Sequence, residues 1–224
     1  MKMNKIIVVI GSGGKTSTVI NIAKQNKDKN VFVTTTTHIY PILPPLSREV
    51  LIDPDSDELK SAVKKGGIVC AGKSCKEGKI TKLDDNVLYD TISLAELTVI
   101  EADGSRQMPL KLHNSFEPVM PKKYDLCIVT VGLSALGKEV SQAVHRYELN
   151  PKWKRNPHHK VGIDDIIYCI EDCISASKAE KDKILVLINQ GDNTELKKSG
   201  HLIKERLEYK TIVLSLKNGD LISL

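Results

Sequence analysis

The first seventeen residues constrain the fold of this chain more than any other segment. An unbroken run of β-branched residues, Ile6–Ile10, predicts a buried strand. It is followed at once by a glycine-rich turn and the start of a helical pattern, Gly11-Ser12-Gly13-Gly14-Lys15-Thr16-Ser17. Glycines let the backbone curl so that its N–H groups face an anion, and the next helix adds the positive end of its dipole. We therefore predict a phosphate-binding loop, in which Lys15 contacts the outer phosphates of a nucleotide and the Thr16 hydroxyl binds Mg²⁺.

This loop departs from the standard G-x-x-x-x-G-K-[ST] pattern. With Gly14 as the last glycine, the first would fall at position 9, where the chain has Val9. The shorter form that runs from Gly11 to Thr16 resembles the phosphate loop of Mur-type ATP-dependent ligases. A glycine turn that only begins a helix is the alternative interpretation. The order of strand, glycines, lysine, threonine and helix favours nucleotide binding.

The composition is typical of a globular protein that binds an anionic ligand. The 224 residues are 41% hydrophobic, enough for a full core, and the net charge of +5 is dispersed, so nucleic acid is an unlikely partner. No apolar run approaches the ~20 residues of a membrane helix. The first apolar run is too short for a secretory signal, so we expect a cytoplasmic protein. The five cysteines lack zinc-finger spacing and are expected to be reduced thiols.

Strands and helices alternate along the chain. Continuous apolar strands between helices predict an α/β fold, with a mostly parallel sheet covered by helices on both faces, as in P-loop NTPases. No linker or repeat divides the chain, so we expect one nucleotide-binding domain over residues 1–224. The predicted strands are 6–10, 31–34, 68–71, 97–100, 126–131, 184–188 and 211–214. The predicted helices are 16–27, 55–65, 163–174 and 194–207.

Ligands of such sheets bind beyond the carboxyl ends of the strands. Glu101 and Asp103 follow the strand that ends at Ile100, and alternate residues of an extended segment point the same way. Both carboxylates are therefore candidates to bind Mg²⁺ and to orient an attacking water, with the choice between them left open. Arg106 is a candidate for stabilising the charge of a transferring phosphate. A polar turn with a surface ion pair is the alternative.

A run of four threonines, Thr34–Thr37, follows the second predicted strand. Threonine is common in strands, so β-propensity alone is one explanation. The other is that the hydroxyls contact Mg²⁺ or the water that attacks the γ-phosphate, with Thr36 as the candidate ligand. His38 is expected to be an ordinary packed or surface histidine.

The segment Asn189-Gln190-Gly191-Asp192 follows the strand that ends at Ile188. It resembles the Asn-Lys-x-Asp motif of GTPases, which implies that Asp192 accepts hydrogen bonds from guanine and that Asn189 lies in the nucleotide site. Gln190 replaces the lysine that packs along the base. Ser215-Leu216-Lys217 resembles the Ser-Ala-Lys of the same proteins. The alternative is a helix cap through Asp192 or Asn193, so GTP is favoured only slightly over ATP.

Two families resemble the chain. Glu101-Ala102-Asp103-Gly104 is similar to the Glu-x-x-Gly of P-loop GTPases that act as metalloenzyme maturation factors. The chain also resembles the YqeC-type family, accessory proteins of selenium-dependent molybdenum hydroxylases. This resemblance implies a role in hydroxylase maturation, with the hydroxylase or its cofactor as partner. It rests on six ordered blocks: Gly11–Ser17, Val33–Ile39, Glu101–Lys111, Glu117–Pro121, Val131–Gly137 and Val144–Arg146.

Three functions are compatible with these motifs. The first is a Mg²⁺-dependent nucleoside triphosphatase with Lys15, Glu101, Asp103 and Arg106 as its catalytic residues. The second is an ATP-dependent kinase or Mur-ligase-like transferase that acts on a small acid or cofactor. In that case Arg106 and Lys111 would converge on a second anion, joined by His145 and Arg146. The third is a nucleotide-sensing interaction protein without turnover. The basic stretch 152–160 is either a solvated loop or a surface for an acidic partner.

Overall fold

A computed structural model describes residues 4–223 of the chain. Strands and helices alternate along it, as the apolar pattern predicts. The strands are β1 (Lys5–Gly11), β2 (Asn30–Thr35), β3 (His38–Ile39), β4 (Glu49–Ile52), β5 (Gly67–Ser74), β6 (Ile80–Thr81), β7 (Leu97–Glu101), β8 (Leu110–Lys111), β9 (Leu126–Gly132), β10 (Val144–His145), β11 (Ile184–Asn189) and β12 (Lys210–Val213). The α-helices are α1 (Lys15–Gln25), α2 (Ser56–Lys64), α3 (Asp85–Ile92), α4 (Val140–Ala143), α5 (Pro151–Arg155), α6 (Ile163–Ser177) and α7 (Thr194–Glu205).

The first of two compact units consists of residues 4–9, Thr16–Asp103 and Val119–Leu126. Its parallel strands follow the order β1-β7-β2-β5, β4 also pairs with β5, and β6 and β3 add antiparallel pairs. Helices α2 and α3 pack together over a core that includes Phe32, Leu59 and Leu88. The register sets Glu101, the last residue of β7, beside Thr35 of β2, so the acidic and threonine motifs end at the same edge.

The second unit consists of Ile10–Lys15, Gly104–Pro118 and residues 127–223. Its parallel strands follow the order β9-β11-β12, with Asn189 of β11 beside Gly132 of β9. Helix α6 packs against α7 and β8, and α7 packs against β12. Strands β8 and β10 form a separate parallel pair that sets Lys111 opposite His145.

The predicted mostly parallel α/β architecture is confirmed, and the single domain over residues 1–224 stays a prediction. The sequence analysis missed α3, a helix of eight residues that includes weak helix formers such as Asn86 and Thr91. It also missed β8 and β10, because two-residue strands are too short to show a period. Within residues 4–223, no helix has the length and apolar character needed to cross a membrane.

Candidate functional site

The phosphate loop contains glycines at which a Cβ atom would collide with backbone or amide atoms of other segments. Gly13 has φ +70°, and a Cβ built on it would lie 2.2 Å from the backbone nitrogen of Gly132. Gly14 has φ +122°, and its Cβ would lie 2.3 Å from Nδ2 of Asn189. Both backbone conformations are rare for residues with a side chain, and both positions lack room for one. Only glycine therefore permits this loop shape.

The first amides of the loop bind protein carbonyls. Ser12 N–H donates to Thr130 O at 2.8 Å, and Gly13 N–H donates to Met108 O at 3.3 Å. The Ser12 hydroxyl also donates to Met108 O, at 2.6 Å. These two amides are thus occupied by protein acceptors, and anion binding by the glycine turn stays a prediction. The donors suited to phosphate are instead the first-turn amides of α1, such as those of Thr16 and Ser17, which have no acceptor within the helix.

Lys15 is the first residue of α1 and is 4% exposed. Its ammonium donates to Gly11 O at 2.7 Å and to Ser105 Oγ at 3.1 Å. Both acceptors are neutral oxygens, and a phosphate oxygen would form a stronger, charge-assisted bond. The side chain therefore already lies across the glycine turn, as expected of a phosphate-binding lysine. Ser105 was not identified as a site residue from the sequence, because a lone serine after an acidic turn carries no pattern.

In the first unit, the Thr16 hydroxyl donates to Oε2 of Glu101 at 3.1 Å. Glu101 is 6% exposed, and Asp103 is fully buried two residues later. Adjacent oxygen ligands at 2.0–2.1 Å from an octahedral Mg²⁺ lie about 2.9 Å apart, so the observed separation fits that ion. The structure thus brings together two of the four predicted metal ligands, Thr16 and Glu101.

Three of the four hydroxyls in the threonine run donate to backbone carbonyls. Thr34, Thr35 and Thr36 donate to the carbonyls of Ala71, Glu101 and Val119 respectively, at 2.7–2.8 Å. The amide of Thr36 also donates to Glu101 O at 3.1 Å, which holds Thr36 beside the acidic segment. A hydroxyl that donates one hydrogen bond keeps its lone pairs, so the prediction that Thr36 binds a metal stays a prediction.

Two of the residues that were expected to bind a second anion, Lys111 and Arg146, bind a carboxylate of the protein itself. Nζ of Lys111 contacts Oε2 of Glu117 at 2.8 Å and donates to Gly104 O at 2.7 Å. Arg146 binds the same carboxylate through both terminal nitrogens, with Nη2 3.2 Å from Oε1. Glu117 is therefore an internal anion for Lys111 and Arg146. Arg106 is exposed and makes no hydrogen bond or ion pair within residues 4–223.

Two titratable groups in this cluster are strongly perturbed. Partial burial raises the pKa of Glu117, but hydrogen bonds from Arg146 and Lys111 outweigh it and bring the pKa to about 2. Burial lowers the pKa of His145 to about 4, aided by the charges of Arg146, Lys111 and Arg106. At neutral pH the cluster thus contains an ionised Glu117 and a neutral His145. Sequence reasoning missed Glu117, although a buried lysine such as Lys111 requires a carboxylate partner.

The Asn189–Asp192 segment does not cap helix α7 through Asp192. The N-cap is Asn193, whose Oδ1 accepts from Leu196 N–H at 2.9 Å. Asp192 Oδ1 instead accepts from the Ser215 hydroxyl at 2.6 Å. The structure therefore places Ser215 beside Asp192, and base recognition by Asp192 stays a prediction.

Asn189 connects the phosphate loop to the segment that follows β12. Its Nδ2 donates to Gly13 O at 2.9 Å, and its Oδ1 accepts from Leu216 N–H at 3.1 Å. Gln190 has φ +65°, and its Oε1 is buried without a hydrogen-bond partner among the described residues. A Cβ on Gly132 would lie 2.1 Å from that oxygen, so Gln190 packs on β9. Asn189 thus contacts the loop itself, and Gln190 packs against β9.

The cysteines and the basic stretch 152–160 make ordinary packing and ion-pair contacts. All five cysteines are free thiols, and burial raises the pKa of Cys70 to about 11. In residues 4–223, no group of three or more His, Cys, Asp or Glu side chains is arranged to hold a metal. In the basic stretch, Trp153 is buried and makes an edge contact with Tyr168, and Glu139 pairs with His158 and Lys160.

Comparison with known proteins adds the family. A family model described as YqeC protein matches residues 7–148, more than half of the chain. The chain belongs to the YqeC family. It is also 35% identical over 153 residues to an uncharacterized YqeC protein of Escherichia coli K12. That alignment covers 65% of this chain and 59% of the relative, so the chain spans less than two thirds of that relative's length.

The region matched by the YqeC family model contains most of the site. It includes the phosphate loop, the Glu101–Asp103 segment and the Glu117 ion cluster, but it ends before β11. Asn189 and Asp192 therefore lie outside the matched residues, and the argument for them depends on geometry alone.

The glycine packing of this YqeC chain predicts a large difference between two similar substitutions. Gly13→Ala should lower the free energy of unfolding by about 3 kcal/mol, because the methyl group meets the backbone of Gly132 and the φ angle is unfavourable. Gly137→Ala is the matched control, with φ +74° and nothing within 4 Å of its Cβ. This control should lower the free energy of unfolding by only about 1–2 kcal/mol, because it introduces backbone strain without a steric clash. If urea unfolding gave equal losses of stability for the two variants, the close approach of Gly13 to Gly132 would be contradicted.

The ion cluster predicts a pH-dependent loss of stability in Glu117→Gln. At pH 7 this variant should lose about 3 kcal/mol, because Lys111 is left buried with its carboxylate partner neutralised. The folded-state pKa of Glu117 lies below its usual 4.5, so its stabilisation is complete above pH 4.5 and declines as the pH falls towards 2. The difference between wild type and variant should shrink over that window in urea unfolding. Glu139→Gln, which removes a surface partner, should show a smaller difference at pH 7.

Proposed function

We propose that this protein is a cytoplasmic, Mg²⁺-dependent P-loop nucleoside triphosphatase that assists the maturation of a selenium-dependent molybdenum hydroxylase. The observation that carries the proposal is the glycine loop, which excludes side chains at Gly13 and Gly14 and lies under the ammonium of Lys15. Such a shape has a clear use in phosphate binding, where an anion must approach the backbone closely. The hydroxylase role is supported by the family resemblance alone.

Phosphate binding is assigned to Lys15 and to the first-turn amides of α1. A phosphate oxygen would add a charge-assisted bond to the ammonium, while Ser105 keeps the side chain oriented. Lys15 is also nine-tenths buried or more, so the charge of a bound phosphate would be little screened by solvent.

Metal binding is assigned to Thr16 and Glu101, with Asp103 as the next carboxylate. Thr16 follows Lys15 directly in the chain, so the metal ligand and the phosphate ligand are consecutive residues. Mg²⁺ would supply charge neutralisation at the phosphate oxygens. The carboxylate of Glu101 would accept a proton or orient the attacking water, since it is ionisable and 6% exposed.

Base recognition is assigned to Asp192. Its carboxylate is oriented by the Ser215 hydroxyl at 2.6 Å, and it makes no cap on α7 that would account for it. An aspartate held in this way accepts from the N1–H and the amino group of guanine, which adenine lacks. GTP is therefore favoured over ATP.

A second candidate is an ATP-dependent kinase or Mur-ligase-like transferase, favoured by the short loop and by the exposed Arg106, which has no partner among residues 4–223. A third is a nucleotide sensor without turnover. Phosphate release with nucleotide and Mg²⁺ alone supports the triphosphatase. Release only with an added acceptor supports the transferase. Tight binding without turnover, even with the hydroxylase present, supports the sensor.

The phosphate loop predicts that Lys15→Ala lowers the affinity for Mg²⁺–GTP about 100-fold, because two or more charge-assisted bonds are lost. Lys24→Ala is the matched control, since Lys24 is an exposed lysine in the last turn of the same helix. It should bind as wild type does. Isothermal titration measures both, and equal affinities for the two variants would refute phosphate binding by Lys15.

The base assignment predicts that Asp192→Ala abolishes the preference for GTP over ATP while ATP affinity changes little. Asn193→Ala serves as the control, because it removes the cap of α7 and should cost about 1 kcal/mol of stability without changing the preference. Competition binding with GTP and ATP gives both ratios. If the wild type prefers ATP and Asp192→Ala has no effect, the transferase is favoured over the GTP-dependent triphosphatase.

A further inference from the structure

We infer that Arg106 and His145 form a binding site for a carboxylate or phosphate group of a second small molecule, next to the phosphate-binding lysine. Its role as the site of a co-substrate rests on the proposed nucleotide function, whereas the anion binding itself does not.

Arg106 is presented to solvent by a constrained backbone. It has φ +47°, and Gln107 after it has φ +62°, both unusual for residues with side chains. The preceding residues are held from two sides, because Gly104 O accepts from Lys111 and Ser105 Oγ accepts from Lys15. The guanidinium makes no bond to the described residues. A strained backbone that exposes an unpaired arginine is typical of a binding position.

His145 supplies a second group without a protein partner. It is half-buried, and its imidazole makes no hydrogen bond within residues 4–223. The β8–β10 pairing fixes its position opposite Lys111. Because its pKa is lowered to about 4, the ring is neutral at pH 7 and offers one N–H donor. Lys111 connects His145 to the Arg106 segment, because it pairs with His145 across β8 and β10 and its ammonium donates to Gly104 O, two residues before Arg106.

The charge around His145 favours an anion. Arg106, Lys111 and Arg146 carry three positive charges, and Glu117 carries one negative charge. The excess is two positive charges around a half-buried ring. An arginine fork suits the paired oxygens of a carboxylate or phosphate. Lys111 is buried and His145 is half-buried, so a small molecule reaches these groups more readily than a folded protein surface does.

The anion site lies near Lys15, the proposed phosphate ligand. Ser105 contacts the Lys15 ammonium at 3.1 Å, and Arg106 is the next residue, about 3.8 Å further along the chain. An anion on Arg106 would therefore be a near neighbour of the phosphates held by Lys15. This is the position of an acceptor or co-substrate, and it adds an acidic small molecule to the ligands of the nucleotide site.

The test is a residue-specific NMR titration of the ¹⁵N-labelled full chain with inorganic phosphate and, separately, with citrate. It is run with and without Mg²⁺ and a non-hydrolysable GTP analogue. The Arg106 Nε–H and His145 ring signals should shift with saturation in both conditions. Arg106→Gln should weaken the affinity read from His145 about tenfold. Arg155→Gln is the matched control, because Arg155 is another exposed arginine without a partner among the described residues, and it should titrate as wild type does.

The outcomes separate this inference from the proposed function. Shifts without saturation, or equal affinities in Arg106→Gln and Arg155→Gln, overturn the anion site. A GTP analogue that fails to shift the amides of Gly13 to Ser17 overturns nucleotide binding, while the anion site is still judged from the nucleotide-free titration. Saturation by only one of phosphate and citrate confirms the site and identifies its preferred group.

Discussion

The close approach of the glycine loop to β9 is the constraint on which the candidate site depends. With 2.2 Å between the Cβ position of Gly13 and the nitrogen of Gly132, the loop has no room for a side chain. The same approach sets the Ser12 amide on Thr130 O and fixes where α1 begins. Because Lys15 and Thr16 are the first residues of that helix, their positions follow from backbone packing. The chemistry of the site is thus a consequence of a steric fit.

Electrostatics adds a second constraint that acts on the segment after Asp103. Lys111 is buried, and a buried ammonium is tolerated only with a partner such as Glu117. The Arg146 fork on the same carboxylate connects β10 to this segment. Burial lowers the pKa of His145, and the positive surplus left by two cations on one anion lowers it further. A cluster that stabilises the fold therefore also produces the field that a second ligand would experience.

The sequence predicts much of this architecture because its signals are local. The run Ile6–Ile10, the glycines that follow it and the acids after Ile100 each identify a strand and its end without knowledge of the rest. Long-range partners carry no such signal. No sequence pattern predicts that Asn189 contacts Gly13. The same holds for the contact of Ser105 with Lys15. The acceptors of the Ser12 and Gly13 amides were missed for the same reason, since they come from distant segments.

The hydrogen bond from Asn189 to Gly13 has a consequence for the order in which the molecule is assembled. The two residues are 176 positions apart, and the second contact of the same amide, with Leu216, lies still later in the chain. The phosphate loop is synthesised before β11, yet one of its contacts requires that strand. Contacts of such separation are slow to form because a long loop must close. The phosphate loop therefore acquires these contacts only after β11 and the segment that follows β12 have been synthesised.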